Sequence, residues 1–221
     1  MSVTIDAAQT ASRDFFRKYM PLGRALDTLK QGMYLADPEK WEDRNDKVCV
    51  QRYTEIFEKS VRAVCVTEGT EKYHHWRSYS EPGLMVALLL PKKAFIAQWD
   101  ALASPGYQTR HAPVSYFPIR RATEIAPTDL VFSKFNGYES EQEYRFVATA
   151  DRLEDLPQRL PLSSDAVKGV IVNPWADNDL VEAIRIAVNA ISPFASASVT
   201  KSTVLGKDKW IAKINSISPK R

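Results

Sequence analysis

The spacing of apolar residues along the chain switches repeatedly between a strand period and a helix period. Phe15–Met20 is a short aromatic and basic run that reads as a strand. In Pro21–Gln31, Leu22, Ala25, Leu26 and Leu29 share one helical face, and Gly32 follows where a left-handed stop is expected. Met33–Ala36 is a short strand, Asp37-Pro38 opens a turn or a new helix, and Trp41–Asp46 is a charge-dense loop. Val48–Ser60 is helical, with Val48, Tyr53, Ile56 and Phe57 proposed for its apolar side. Val61–Thr67 is a strand, Glu71–Ser80 a short helix, and the unbroken apolar run Leu84–Leu90 a buried central strand. Ala94–Leu102 is a helix and Pro113–Phe117 a strand, and Asp129–Phe135 leads into a turn at Gly137. Glu143–Thr149 and Val167–Val172 are strands, and Asp177–Ile191 is a helix with Leu180, Ile184 and Ala187 at helical spacing. Ala197–Leu205 and Trp210–Ile214 read as strand-like segments.

Helices and strands therefore mix without a steady strand–helix–strand alternation. Neither a Gly-x-Gly-x-x-Gly turn nor a Gly-x-x-x-x-Gly-Lys loop occurs, which disfavours a doubly wound nucleotide fold. The expectation is an α+β domain: a central mixed or antiparallel sheet flanked by helices.

Composition sharpens this picture at a few points. With 221 residues, 44% hydrophobic and 26% charged, the chain can build one large globular core. The expected organisation is a flexible segment over residues 1–14, one domain over 15–205 and a basic tail over 206–221. No apolar run approaches the roughly 20 residues of a membrane helix, the N-terminus has no apolar signal core, and a cytoplasmic location is expected. Cys49 and Cys65 form no zinc spacing and no disulfide framework, and Cys65 is expected in the core. The net charge of +3 is uneven: residues 201–221 hold six cations against Asp208, so +5 there and −2 before it. Such a tail can touch phosphates or an acidic partner, and it reads equally well as an edge strand guarded by lysines.

Two stretches concentrate chemistry. In Glu139-Ser140-Glu141-Gln142-Glu143-Tyr144-Arg145 a strand would carry Glu141, Glu143 and Arg145 on one face. Two carboxylates so placed can share a substrate, one steadying a developing cation and the other orienting a nucleophile, while Arg145 pairs with them. On its own, Glu-x-Glu reads at least as well as a charged strand end. In Tyr73-His74-His75-Trp76-Arg77-Ser78-Tyr79 a helix would bring Tyr73, Trp76 and Tyr79 to one face, either stacking on a planar heterocycle or packing as core. The adjacent His74 and His75 cannot converge on one metal from a helix, and no metal site is expected. Phe16-Arg17-Lys18-Tyr19 puts Arg17 and Tyr19 on one strand face and Lys18 on the other, where a cation can hold a phosphate or simply snorkel.

The order of these motifs resembles a bacterial domain family that runs aromatic-Lys-Tyr, a helix, Gly-x-aromatic-Phe-Ser-Asn-Pro-x-x-Phe-Asn-Asp, a strand ending Phe-Ser, Met-Trp-x-x-Tyr, an apolar strand, Tyr-Glu-x-Glu-Tyr-Arg and Lys-Gly-Ile-Ile. The matching parts here are Arg17-Lys18-Tyr19, Gly32–Pro38, Trp41-Glu42-Asp43, Val66-Thr67, His75–Tyr79, Met85–Leu89, Glu141–Arg145 and Lys168–Ile171, over about residues 15–175. That family is similar to the toxin-type ADP-ribosyltransferases. The resemblance implies a split sheet, NAD as the substrate consumed, Glu143 as the catalytic carboxylate and Glu141 as its partner. It further implies Tyr79 as a catalytic residue, with Trp76 beside it at the nicotinamide, and Arg17, Lys18, Tyr19, Thr67 and Arg145 around the dinucleotide. Thr67 stands in place of the family's Ser and Ser140 in place of a Tyr.

The expected function is transfer of ADP-ribose to a macromolecule, with nucleic acid slightly preferred over protein. A toxin of a toxin–antitoxin or phage-defence system, with an antitoxin as partner, is the implied setting. On this reading Glu143→Gln lowers turnover at least about tenfold without unfolding the protein. Two alternatives stand beside it: an inactive nucleotide- or partner-binding module on the same fold, and a metal-dependent nuclease using Glu141 and Glu143.

Overall fold

The computed structural model describes residues 14–78 and 84–217. The proposed flexible segment 1–14 falls almost wholly outside that range. In chain order the elements are β1 (Phe15–Pro21), α1 (Leu22–Gln31), β2 (Met33–Tyr34), α2 (Arg44–Phe57), β3 (Ser60–Thr67), α3 (Tyr73–Ser78), β4 (Met85–Pro91), α4 (Lys92–Ala101), β5 (Gln108–Pro113), β6 (Ser115–Phe117), β7 (Ser133–Phe135), β8 (Glu143–Ala150), β9 (Arg159–Leu160), β10 (Gly169–Val172), α5 (Asn178–Asn189), β11 (Ser198–Lys201) and α6 (Asp208–Asn215). Short 3-10 turns fill several connections, among them Pro38–Lys40, Pro127–Phe132 and Asn136–Glu141.

The fold is α+β. Seven strands form one sheet in the order β11-β10-β4-β1-β3-β8-β5, antiparallel except for the β10–β11 pair at one edge. The pairing is uneven at the centre. β1 pairs with β4 along its whole length, and β3 with β8 likewise, but β1 and β3 meet only where Arg17 faces Thr67. The sheet is therefore split between β1 and β3.

Side-chain alternation sends the apolar residues of each strand to two faces. On one face Phe16, Val64, Val66, Leu88, Phe146 and Val170 bury against α1, α4 and α5 through Leu29, Phe95, Trp99 and Ile184. β4 is buried on both sides, Val86, Leu88 and Leu90 in this core and Met85, Ala87 and Leu89 on the second face, which explains why Leu84–Leu90 is so uniformly apolar. The second face carries two smaller clusters. Tyr19, Ala87, Leu89 and Ile171 pack under Trp76 of α3. Val61, Ala63 and Val147 pack under Val50 and Tyr53 of α2, with Val131 and Phe132. Between the two clusters the same face is polar.

Local sequence accounts for the main boundaries. α1 stops at Gly32, whose φ of 95° disfavours other residues and whose missing Cβ leaves room for the Leu160 carbonyl. α2 begins earlier than its apolar pattern predicts, because the Asp43 carboxylate accepts from Asn45 N–H at 3.0 Å and caps it. Its buried stripe is Asp46, Val50 and Tyr53, while Val48 and Ile56 are exposed, so the proposed apolar side is rotated. Trp210–Ile214 lies in the helix α6 rather than in a strand. β5 is a polar edge strand that the hydrophobic pattern does not mark.

Candidate active site at the split of the sheet

The gap between β1 and β3 opens into a cleft of about 510 Å³, within the roughly 300–1,000 Å³ usual for small-molecule sites. Arg17, Lys18 and Tyr19 border it from β1, Cys65, Val66 and Thr67 from β3, and Glu143 from β8. Trp41, Glu42, Asp43 and Asp46 reach it from the start of α2, and Lys134, Tyr138 and Glu141 from the chain leading into β8. A second depression, about 110 Å³ beside α2, lies among Pro38, Val50, Gln51 and Leu153 and shares none of these residues.

Strand register sets the floor. Arg17 pairs with Thr67, and Thr67 pairs with Glu143. The three residues form one row across adjacent strands on one face, about 10 Å from first to last. Arg17 is buried; its Nη1 donates to the Gly69 carbonyl at 2.9 Å, while its Nε has no partner among the described residues. Thr67 is buried beside it.

Glu143 sits in a buried ionic cluster. Its Oε1 accepts from Arg145 Nε at 2.7 Å and its Oε2 from Lys134 Nζ at 3.2 Å. Arg145 Nη2 continues to Asp46 Oδ2 at 2.9 Å, and its Nη1 donates to the Val131 carbonyl. Lys134 also holds Glu141 Oε2 at 2.8 Å and lies 3.5 Å from Asp46. Three acids thus share two cations. The rings of Trp41 and Tyr138 lie 4.9 Å from the guanidinium and 4.8 Å from the ammonium. The Glu143 N–H donates to the Tyr116 hydroxyl, which fixes the start of β8.

The charge states follow. Burial alone would raise the Glu143 carboxyl, but Arg145 and Lys134 outweigh it and hold its pKa at about 2. Burial raises the Asp46 and Glu141 carboxyls against the same cations. With one acid in excess, those two are the groups that take up a proton most readily. Burial opposes the charge on Lys134, yet Glu143, Glu141 and Asp46 together push its pKa upward.

Glu141 is not on the strand. It ends a 3-10 turn, and Gln142, at φ 47° and ψ 51°, breaks the alternation. That left-handed residue returns the Glu141 carboxylate to the same ammonium that holds Glu143, a costly backbone state for a non-glycine residue.

The remaining expected site residues divide. Tyr19 borders the cleft, packs edge-on against Trp76, and has its hydroxyl 3.3 Å from His75 Nδ1. Lys18 borders it as well, although its register opposite Leu88 places it on the other strand face. Trp76 does not reach the cleft. Its ring is fully buried behind Tyr19 and its Nε1 donates to Glu71 at 2.8 Å, so it is core rather than a nicotinamide platform. Arg145 is also fully buried and does not border the cleft; its guanidinium is taken up by Glu143, Asp46 and the Val131 carbonyl. Tyr79 lies outside the described residues. Lys134 and Asp46 were not foreseen, although an acid on the buried stripe of α2 and a lone Lys between Phe132 and Phe135 were signals of them.

Among the described residues no group of three His, Cys, Asp or Glu side chains is arranged to hold a metal ion. The point where three carboxylates converge is occupied by the Lys134 ammonium. The chain matches no family model, no curated protein and no solved structure.

Proposed function

We propose that the chain is an NAD-dependent ADP-ribosyltransferase whose reaction runs in the cleft between β1 and β3. The observation that carries this reading is the row Arg17–Thr67–Glu143 on the floor of a cleft at the split of the sheet. Arg17 and Lys18 border the cleft and supply positive charge suited to a phosphate or ribose oxygen.

The chemistry asks little more of the protein. The bond between the ribose C1 and the nicotinamide nitrogen breaks, its electron pair neutralises the pyridinium, and positive charge develops on the ribose. A carboxylate ionised down to about pH 2, held in place by Arg145 and Lys134, stabilises that charge without reorganising. Glu143 keeps lone pairs for a ribose hydroxyl even with both oxygens engaged. The acceptor nucleophile then bonds to C1 and gives up its proton. Glu141, more exposed than Glu143 and with its pKa raised by burial, is the base we assign. Glu42, Asp43 and Glu141 make one side of the cleft acidic, which repels a phosphate backbone. We therefore favour a protein side chain over nucleic acid as acceptor.

The test is release of nicotinamide from NAD by the wild-type chain, Glu143→Gln and Thr67→Val. Release by the wild type that falls at least about tenfold in both variants supports the reading. One observation favours a second reading, a nucleotide-binding module without catalysis: both Glu143 oxygens already have cationic partners. NAD binding by calorimetry with no nicotinamide released would select it.

A further inference from the structure

The last helix is built unlike the others. No residue of α6 is buried, although the segment before it is anchored: Val204 packs against the Trp76 cluster, and the Ser202 hydroxyl bonds Glu71. At 100° per residue Trp210, Ile211 and Ile214 fall on one face of α6, and Ile217 follows just past its end. These four side chains are between 45% and 70% exposed, and Leu205 ahead of the helix is exposed too. Lys213 and Asn215 flank the apolar face on its two sides, Asp208 and Lys209 lie opposite it, and Lys207 precedes the helix. Residues 201–221 carry +5.

From this we infer that α6 is an interfacial anchor that lies in the plane of an anionic lipid surface. A basic amphipathic helix with Trp and aliphatic residues on one face binds such surfaces by burying that face while its cations meet the headgroups. Other occupants fit less well. A phosphate backbone has no use for four large apolar side chains. A second copy would set one +5 segment against another. A partner's groove takes one helical stripe, whereas here Leu205 before the helix and Ile217 after it are exposed along with the stripe; a flat interface accommodates all of them. The anchoring is peripheral, since no helix among the described residues is long and apolar enough to cross a membrane.

The experiment is co-sedimentation of the full chain with vesicles of phosphatidylcholine alone and of phosphatidylcholine with phosphatidylserine, at low and high salt. The variants are Ile211→Ser/Ile214→Ser and Lys207→Glu/Lys213→Glu; all four side chains are outside the core, and melting curves confirm that each variant folds. The expected result is binding to the phosphatidylserine vesicles that falls at least about tenfold in either variant and at high salt. Wild-type chain that sediments no better with phosphatidylserine than without it overturns the proposal, and so does binding that both variants retain. A dimer seen by light scattering that Ile211→Ser/Ile214→Ser dissolves also overturns it, because another copy then covers the face.

Discussion

Lys134 is the cation that three carboxylates share, so Lys134→Met is the sharpest perturbation of the cleft floor. Met keeps most of the apolar stem and removes the ammonium that lies 2.8 Å from Glu141, 3.2 Å from Glu143 and 3.5 Å from Asp46. Three acids would then face Arg145 alone. Removing one partner of a buried ion pair costs about 3–5 kcal/mol, and we expect ~3 kcal/mol at pH 8 because Glu141 keeps some exposure. In the variant at least one carboxyl has its folded pKa raised above its unfolded value. Such a group favours the folded state while protonated and loses that contribution as pH rises between the two values. The penalty should therefore be smaller at pH 5 than at pH 8, by about 1.4 kcal/mol for each pH unit that the raised pKa spans. Urea unfolding at both pH values measures it, with the denaturant slope as a check on two-state behaviour. Adding Glu141→Gln restores the original excess of one acid and should recover part of the loss, a coupling that a double-mutant cycle reads directly. A penalty below about 1 kcal/mol, or one equal at pH 5 and pH 8, refutes the reasoning.

Other outcomes follow from the same geometry. Glu143→Gln should cost about 1–3 kcal/mol of stability, because it removes a buried charge-assisted bond to Arg145, while the variant stays folded; a melting curve shows both. In acid the depressed Glu143 pKa stabilises the fold fully above about pH 4.5, and that contribution disappears as pH falls through about 2, measurable as a loss of unfolding free energy across that window. Trp76→Phe should lower stability by about 1–2 kcal/mol through loss of the bond to Glu71 and leave NAD affinity unchanged by calorimetry, since the ring is sealed from the cleft. His75, kept neutral by burial with a pKa lowered to about 4, should show no imidazole titration by NMR between pH 5 and 8.

Elements with strong one-dimensional patterns were legible in the sequence. β1, α1, β3, β4 and β8 lie within a residue or two of their expected bounds because each buries a regular apolar face. β5 was not legible: Gln108–Pro113 is held at the sheet edge by its ladder to β8, and no burial forces an apolar alternation there. In Trp210–Ile214 the β-branched residues point to a strand, but the spacing 210, 211, 214 is helical, and the helix forms. In the site, the alternation Glu143–Arg145 is visible locally. Their partners are not, since Asp46 meets Arg145 across 99 positions of chain and only the packing of α2 on β3 and β8 brings them together. Trp76 shows the opposite error. Its place in an aromatic cluster is readable, but whether that cluster faces a cleft or seals a core depends on Tyr19 from another strand.

The most direct test of the central claim is a structure of the chain bound to a non-cleavable NAD analogue. The account predicts the analogue in the cleft between β1 and β3, with a ribose hydroxyl within about 3 Å of the Glu143 carboxylate and a phosphate or ribose oxygen at Arg17. An analogue seated away from the row at positions 17, 67 and 143, with the Glu143 carboxylate left out of contact, would contradict it.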